Sequence, residues 1–379
     1  MQDDSSLKKK QTYWRSILRP YMKKSNAIAF FQIVTTLMPL LVVWTIYLKE
    51  AIRCPWIIPV CGLAAIALLI RCFVLMHDCG HGNLFKGRRL NKVFGYMLGV
   101  ITGMPQYVWS RHHAYHHKTN GDWDRYQGPL NIVSTEKYDS FTGFQKKCYG
   151  LFRHPLTFPL AGFFYVLFNP RFNFIRDSIR FAAFVIKWTI RSKSTTFSEA
   201  VKLFNPISWK TSKEYRHQCY NNITLLLIYV LSSLYLNPLL FFPFYVLTLS
   251  LAGGIGILLF TVQHNYENSY ASETANWDYY CGALEGTSYL VLPKILNWIT
   301  ADIAYHHVHH LSLAIPNYQL AKCHFDNEHL FEHVARISIK KIIPSFKYIL
   351  WDVKQQKITS ISAHKVRSSK LILSEINMS

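Results

Sequence analysis

The sequence predicts an all-α membrane protein: four transmembrane helices in two hairpins, with a cytosolic helical cap that gathers a histidine cluster. Three observations lead there. Half of the 379 residues are hydrophobic and 15% are aromatic, and the apolar residues are concentrated in a few long runs. Ten of the seventeen histidines fall in three short stretches: His77-Asp-Cys-Gly-His81, His112-His113-Ala-Tyr-His116-His117 and His306-His307-Val-His309-His310. The basic residues that give a formal charge of +21 flank the apolar runs.

In chain order, residues 1–26 are a basic lead-in whose Tyr13, Trp14, Ile17 and Leu18 suit the headgroup region. Lys8, Lys9, Lys10, Arg15, Arg19, Lys23 and Lys24 precede the first span, so the amino terminus is expected in the cytoplasm. Ala27 to Leu48 is uncharged over 22 residues, enough for about 33 Å of helix. Lys49 to Cys54 forms a short outer loop, and Pro55 to Met76, with Arg71 as its one charge, returns the chain and delivers the first box. Val93 to Trp109 is shorter, rich in Gly and carries Pro105, which fits a re-entrant or interfacial segment. Within the insert Ser134 to Lys213, Phe158–Phe168 and Phe181–Ile190 are too short to cross and are expected at the interface. Ile223 to Val262 holds forty uncharged residues broken by Asn237-Pro238, which reads as two spans and a tight turn.

The expected spans are therefore about 27–48, 55–76, 221–236 and 238–262, within a membrane domain of 27–325. The third is short. Residues 326–379 are expected as a cytosolic polar tail, loosely ordered from Val353. This count makes the protein multi-pass, with both termini and every box cytoplasmic; a different number of spans between the boxes would separate them. No nucleic-acid motif accompanies the positive charge, so no nucleic-acid partner is expected. The eight cysteines form no C-x-x-C pair and read as reduced thiols. The first apolar run is long enough to anchor, so no cleavable signal is expected.

If each box is helical, His77/His81, His113/His117 and His306/His310 lie four apart, and His113/His116 and His306/His309 three apart, so each set shares a face. A single box could be a solvated tract. Three boxes of similar spacing beside membrane-length runs read as a metal site, and this many imidazoles implies more than one metal, with iron, zinc, copper and nickel all open. Asp122 and Asp124 follow the second box, as carboxylate partners for a ligand imidazole or as a plain Asx turn. His264, just inside the last span, is an additional candidate ligand, with Glu267 beside it. Glu214-Tyr-Arg-His217 reads as the lead-in to the third span, and Asp326 to His333 as a solvated helix. No histidine is followed by Glu, which excludes an H-E-x-x-H zinc protease. A histidine-based metal transporter is disfavoured because the spans carry few polar residues.

H-D-C-G-H at 77–81, H-A-Y-H-H at 113–117, Q-H-N at 263–265, and H-H-V-H-H at 306–310 running into Leu311-Ser-Leu-Ala-Ile-Pro-Asn-Tyr318 together resemble the integral-membrane fatty acid desaturases. The likeness is strongest to the bacterial omega-6, delta-12-like acyl-lipid branch, and it spans roughly residues 55–325. It implies four spans under a cytosolic cap holding two Fe ions. The implied ligands are His77, His81, His113, His116, His117, His306, His309 and His310, with His264 as a ninth. His112, His307, Asp78, Asp122, Asp124 and Glu267 are the expected supporting residues. One departure stands out: animal acyl-CoA desaturases carry Asn four residues before the position of His264, where this chain has Phe260.

The reaction the resemblance implies is oxygen-dependent formation of a cis double bond in a lipid-linked acyl chain. Unactivated methylene C–H bonds yield to no acid, base or nucleophile among side chains, so a redox metal with O2 as co-substrate must supply the hard step. A haem-binding H-P-G-G is absent, since His154-Pro155 continues Leu-Thr. The electron donor is thus expected to be a separate protein, ferredoxin or cytochrome b5. Acyl hydroxylases and ketolases use similar boxes and form the alternative on the same scaffold.

Overall fold

The computed structural model describes residues 4–125, 132–191, 199 and 202–376, and they are mostly helical. Helix α1 (Asp4–Leu18) docks onto the protein, with Trp14 stacked on Tyr280 and on Phe331 at 6.2 Å each. Helix α2 (Asn26–Glu50) starts where the Ser25 hydroxyl accepts from the Ile28 N–H, and α3 (Ile57–His81) ends at Gly82, whose φ of +71° is the left-handed cap that glycine adopts without strain. Helices α4 (Arg88–Ile101) and α5 (Gln106–Thr119) form a hairpin turned at Gly103, φ +70°, so the expected re-entrant segment is a helical hairpin. A short strand, β1 (Val133–Ser134), follows. Then α6 (Phe158–Gly162), a π-turned stretch Phe163–Phe168, and α7 (Asn169–Arg191) run on without a break.

Helix α8 (Ser212–Tyr235) is joined to α9 (Pro238–His264) by a turn in which the Asn237 side chain accepts from the Leu239 N–H and Pro238 opens the new helix. Beyond it come α10 (Tyr279–Leu284), β2 (Ser288–Val291), α11 (Lys294–Ile299), α12 (His306–Leu311) and α13 (Asn317–Asp326). The chain closes with β3 (Ala335–Ser338), β4 (Tyr348–Asp352), β5 (Lys357–Ser360) and α14 (Ile361–Ile376).

Among the described residues three helices, α2, α3 and α9, are long and apolar enough to cross a membrane, and a bent pair, Gly143–Leu151 with Pro155–Ile190 at 67°, would make a fourth span if taken as one. The expected span 221–236 is the apolar end of α8, whose first third is polar. Helices α3 and α9 run the same way: both end at the histidines, and Gly62 near the start of α3 lies beside Phe244 near the start of α9. The far end of α2 meets that same region, where the Tyr47 ring stacks on Phe244 at 3.8 Å and its hydroxyl donates to the Leu240 carbonyl at 3.0 Å. Arg71, the one charge of the second apolar run, is buried but fully engaged. It donates to the Thr36 hydroxyl (3.0 Å) and to the Trp298 carbonyl, and its guanidinium lies 4.2 Å from the Trp298 ring centre.

The expected polar tail is a correction. Residues 335–360 fold onto the protein: β3 pairs in parallel with β2, while β4 is the central strand of a sheet ordered β1-β4-β5. Leu350, Trp351 and Ile358 are buried there, and Trp351 stacks on Trp123 at 4.3 Å. The apolar run Tyr348-Ile-Leu-Trp351 drives this, and it outweighs the Lys and Ser around it. Asp326 to His333 is not a solvated helix either. It holds one 3₁₀ turn, Glu328–Leu330, followed by a fully buried Phe331.

Helices α6 and α9 cross at glycine. A Cβ on Gly162 would sit 2.1 Å from the Ser250 carbonyl oxygen and 2.3 Å from the Gly254 nitrogen, whereas one on Gly256 would meet nothing within 4 Å. Overpacking of this kind costs roughly 1–3 kcal/mol or more. Gly162→Val is therefore expected to lower the unfolding temperature and the yield of folded protein, and Gly256→Ala to leave both unchanged, as thermal unfolding in detergent would measure.

Candidate metal centre

Four elements deliver imidazoles to one place: the last turn of α3 (His77, His81), α5 (His113, His116, His117), the end of α9 (His264) and α12 (His306, His309, His310). The helical spacing anticipated from sequence is what aims each set. The side chains sort into two adjoining groups whose ligand atoms lie within 4.8 Å of one another: His77, His81, His113, His117 and His309, and His116, His264 and His310. His306 joins the second group through its Nε2, 2.9 Å from that of His264.

The nitrogens meet tip to tip. His113 and His309 bring Nε2 to 2.9 and 3.1 Å from the Nε2 of His117, and His116 brings its Nε2 to 3.2 Å from that of His264. An imidazole nitrogen offers one proton or one lone pair, so His117 Nε2 and His264 Nε2, each facing two other nitrogens, are poorly served by hydrogen bonds alone. Donors about 2.1 Å from a common cation stand roughly 3.0–3.4 Å apart at octahedral or tetrahedral angles. The donor set therefore fits metal ions of the kind that take neutral imidazole.

The opposite ring nitrogens fix the orientation of two of these side chains. His77 Nδ1 lies 3.0 Å from Asp78 Oδ1, and His264 Nδ1 lies 3.1 Å from the Gly286 carbonyl oxygen. In both cases Nδ1 carries the proton and Nε2 is left with its lone pair toward the cluster. The second oxygen of Asp78 accepts from the Asn317 N–H at 2.8 Å, which ties α3 to the segment just after the third box. Burial holds His113, His116, His117, His306, His309 and His310 well below the usual histidine range, so they are neutral, the form a metal requires.

Residues 54–337, three quarters of the chain, match the family model of the fatty acid desaturases. The chain belongs to the fatty acid desaturase family. A fatty acid desaturase of Bacillus subtilis (strain 168) is 30% identical over 340 residues, covering 89% of this chain and 87% of that protein. An sn-1 oleoyl-lipid 12-desaturase of Picosynechococcus is 26% identical over 328 residues, covering 83% and 82%. An endoplasmic reticulum omega-3 fatty acid desaturase of Nicotiana tabacum is 25% identical over 255 residues, covering 65% and 59%.

Beside the desaturase's clustered imidazoles lies a cavity of about 580 Å³. Its walls include His77, His113, His116 and His306, with Leu69, Ile70 and Phe73 from α3, Leu249 to Gln263 along one stripe of α9, and a polar mouth where His112, Asn169 and Lys210 are exposed, with the half-buried Asn173 and the buried Ser208 behind them. Phe260, the departure noted in the sequence, packs its ring 5.0 Å from His116 and 4.7 Å from His264 and lines this cavity.

Of the expected supporting residues only Asp78 touches the cluster. Asp122 is buried but serves a turn, accepting from Arg125 and from the Thr274 hydroxyl (2.8 Å), and Asp124 accepts from the Thr274 N–H (2.9 Å). Asp122 takes the turn alternative through the Arg125 N–H, whereas Asp124 ties its loop to the distant Thr274 backbone. Glu267 is exposed, outside the cluster, and acts on Tyr348. His112 is exposed at the cavity mouth, and His307 turns away to place its Nε2 2.9 Å from His324 Nδ1. His217 stacks on Tyr107 at 4.4 Å, and Glu214 accepts from the Lys210 N–H. Sequence reasoning missed three supports: the Gly286 carbonyl, the Asn317 amide and the buried His324. The first two are backbone groups without a side-chain signal, and His324 sits on a mixed helix outside the three boxes.

Two outcomes follow. Asp78→Asn is expected to weaken metal affinity about 10–100-fold, while Asp122→Asn leaves metal content unchanged, as metal analysis after graded chelation would measure. Burial pushes the His324 imidazole down from 6.5 to about 4. The unfolded chain therefore takes up a proton that the folded one refuses, so stability is full above 6.5 and falls as the pH drops toward 4. Unfolding temperatures of the metal-free protein across that range should show this loss, with a shallower slope in His324→Gln.

Proposed function

We propose that the protein introduces a cis double bond into a lipid-linked acyl chain through a di-iron centre, with delta-12 (omega-6) placement. The convergence of nine imidazoles in two adjoining groups beside an apolar cavity is the observation that carries the reading. The proposed ligands are His77, His81, His113, His117 and His309 for one iron and His116, His264, His306 and His310 for the other. When bound, the irons supply the redox chemistry with O2 that no side chain offers. The chain's own residues position: Asp78 and the Gly286 carbonyl orient two ligands, the Tyr279 hydroxyl holds α12 through the His310 carbonyl (2.7 Å), and the apolar walls keep water from the acyl chain.

The delta-12 placement is supported by likeness to the sn-1 oleoyl-lipid 12-desaturase, which covers more of this chain than the omega-3 relatives do. Four membrane passes are supported by the shared direction of α3 and α9. The chain has to return across the bilayer between them, and α8, leading into the start of α9, is the element suited to that return. The basic residues before α2 support cytoplasmic termini and a cytoplasmic metal centre. We assign the electrons to an external protein donor; one chloroplast relative is a ferredoxin-type omega-3 desaturase.

Expression in a host that makes only monounsaturated lipids, followed by double-bond localisation, tests this reading. Diunsaturated chains with the new bond at carbon 12 are expected; an omega-3 bond, a hydroxy or keto product, or no product would each replace it. His116→Ala and His309→Ala are expected to abolish product, His154→Ala and His333→Ala to leave it unchanged. Gly256→Phe, which projects into the open cavity, is expected to cut turnover of long chains at least tenfold with metal content intact.

A further inference from the structure

Helix α7 has two apolar faces, and the described protein covers only one. Facing inward, Phe174 lies 5.4 Å from Tyr215, and Phe181 and Phe184 lie 5.2 and 5.6 Å from Phe204. Between them the fully buried Asp177 accepts from the N–H groups of Ile207 (2.7 Å) and Ser208 (2.9 Å). The outer face is Phe172, Ile175, Ile179, Ile186 and Ile190, a single stripe at helical spacing, with exposures of 48 to 77%. Stepping back by fours, the stripe continues through Phe168, Phe164 and Leu160, all exposed. Arg176, Arg180 and Lys187 form the neighbouring row, the first two reaching Asp177 at 3.1 and 3.7 Å.

The helix starts beside the candidate spans. Tyr165, just before it, accepts from the Trp109 indole N–H (2.8 Å), one turn below His113. The Pro170 carbonyl accepts from Gln218 (3.1 Å), and Phe174 meets Tyr215, both residues in the first two turns of α8. Of these partners Trp109 lies against the cluster itself, its ring 4.6 Å from that of His113. Asn169 and Asn173, on the flank that carries the basic row, line the cavity mouth. Gln218 also lines the cavity there; it is 98% buried and its Oε1 has no partner.

An exposed apolar stripe, an adjoining cationic row and continuity with membrane-spanning helices together fit one occupant, an anionic bilayer surface. We propose that α7 lies flat in the bilayer interface, its stripe among acyl chains and its basic row at the headgroups. The cavity mouth at Asn169 and Asn173 then opens to the lipid phase, and substrate enters sideways as an acyl chain still attached to a membrane lipid. The entry route rests on the desaturase reading of the cavity; the placement of the helix does not.

The test uses full-length protein in nanodiscs containing phosphatidylglycerol, with accessible native cysteines replaced and spin labels at Ile175, Ile179, Ile186 or Lys187. Labels at the three isoleucines are expected to relax with oxygen far more than with a water-soluble nickel chelate and to share one depth, while Lys187 reports the headgroup level. Nickel-dominated relaxation along the stripe, or a depth that changes steadily from 175 to 186 as in a crossing helix, would overturn the placement. In a second arm, the Ile175→Asp/Ile179→Asp variant is expected to raise KM for bilayer phospholipid at least tenfold. Metal content and kcat/KM for the same acyl chain dispersed in detergent should stay the same, and Ile175→Leu should match wild type. An unchanged KM, or equal loss on both substrates, would overturn the entry route. The labels need no turnover, so they separate failure of this proposal from failure of the desaturase reading, which wild-type product formation checks on its own.

Discussion

The structure depends on one constraint: nine imidazoles from four separate elements must present their lone pairs to the same small volume. Nitrogen tips about 3 Å apart repel unless a cation or a proton lies between them, and burial removes the water that would otherwise screen them. The rest of the fold answers that difficulty. Glycine contact at the α6–α9 crossing sets α9 in place, and the shared direction of α3 and α9 brings His81 and His264 to the same level. The hairpin of α4 and α5 then lays the second box between them.

Orientation comes from the outer edge of the rings. Asp78 serves twice, holding His77 with one oxygen and the Asn317 amide with the other, so the first box and the end of the third are locked by a single buried carboxylate. Arg71 works one level deeper. Its guanidinium binds the Trp298 carbonyl and ring, which fastens α11, and with it the approach to the third box, onto α3. A charge that looked out of place in an apolar run is thus a fastener between α3 and the approach to the third histidine box.

Much of this was legible in the sequence, and the unread part has physical reasons. Helical spacing within each box fixes which imidazoles share a face, and the nine side chains lie together in the fold. The apolar runs located α2, α3 and α9, because nothing competes with bilayer-length hydrophobicity. The short run after Asn222 was visible as short, and α8 extends it with polar turns. What failed involved non-local pairing: β3 pairs with β2 and β4 with β1, each more than 45 residues away, with β5 added to β4 as a hairpin, and local composition there reads as polar. Carboxylates at 122 and 124 read equally well as partners of a ligand imidazole or as a plain Asx turn, and Glu267 as a support beside His264. Proximity does not set direction: Asp122 serves a turn, Asp124 accepts from the Thr274 backbone and Glu267 faces Tyr348.

Iron analysis of anaerobically loaded protein, combined with X-ray absorption at the iron edge, tests the central claim most directly. The account predicts two irons per chain, each with a first shell dominated by nitrogen at about 2.1 Å and the outer-shell scattering of imidazole. A single iron per chain, or a shell dominated by oxygen, would contradict it.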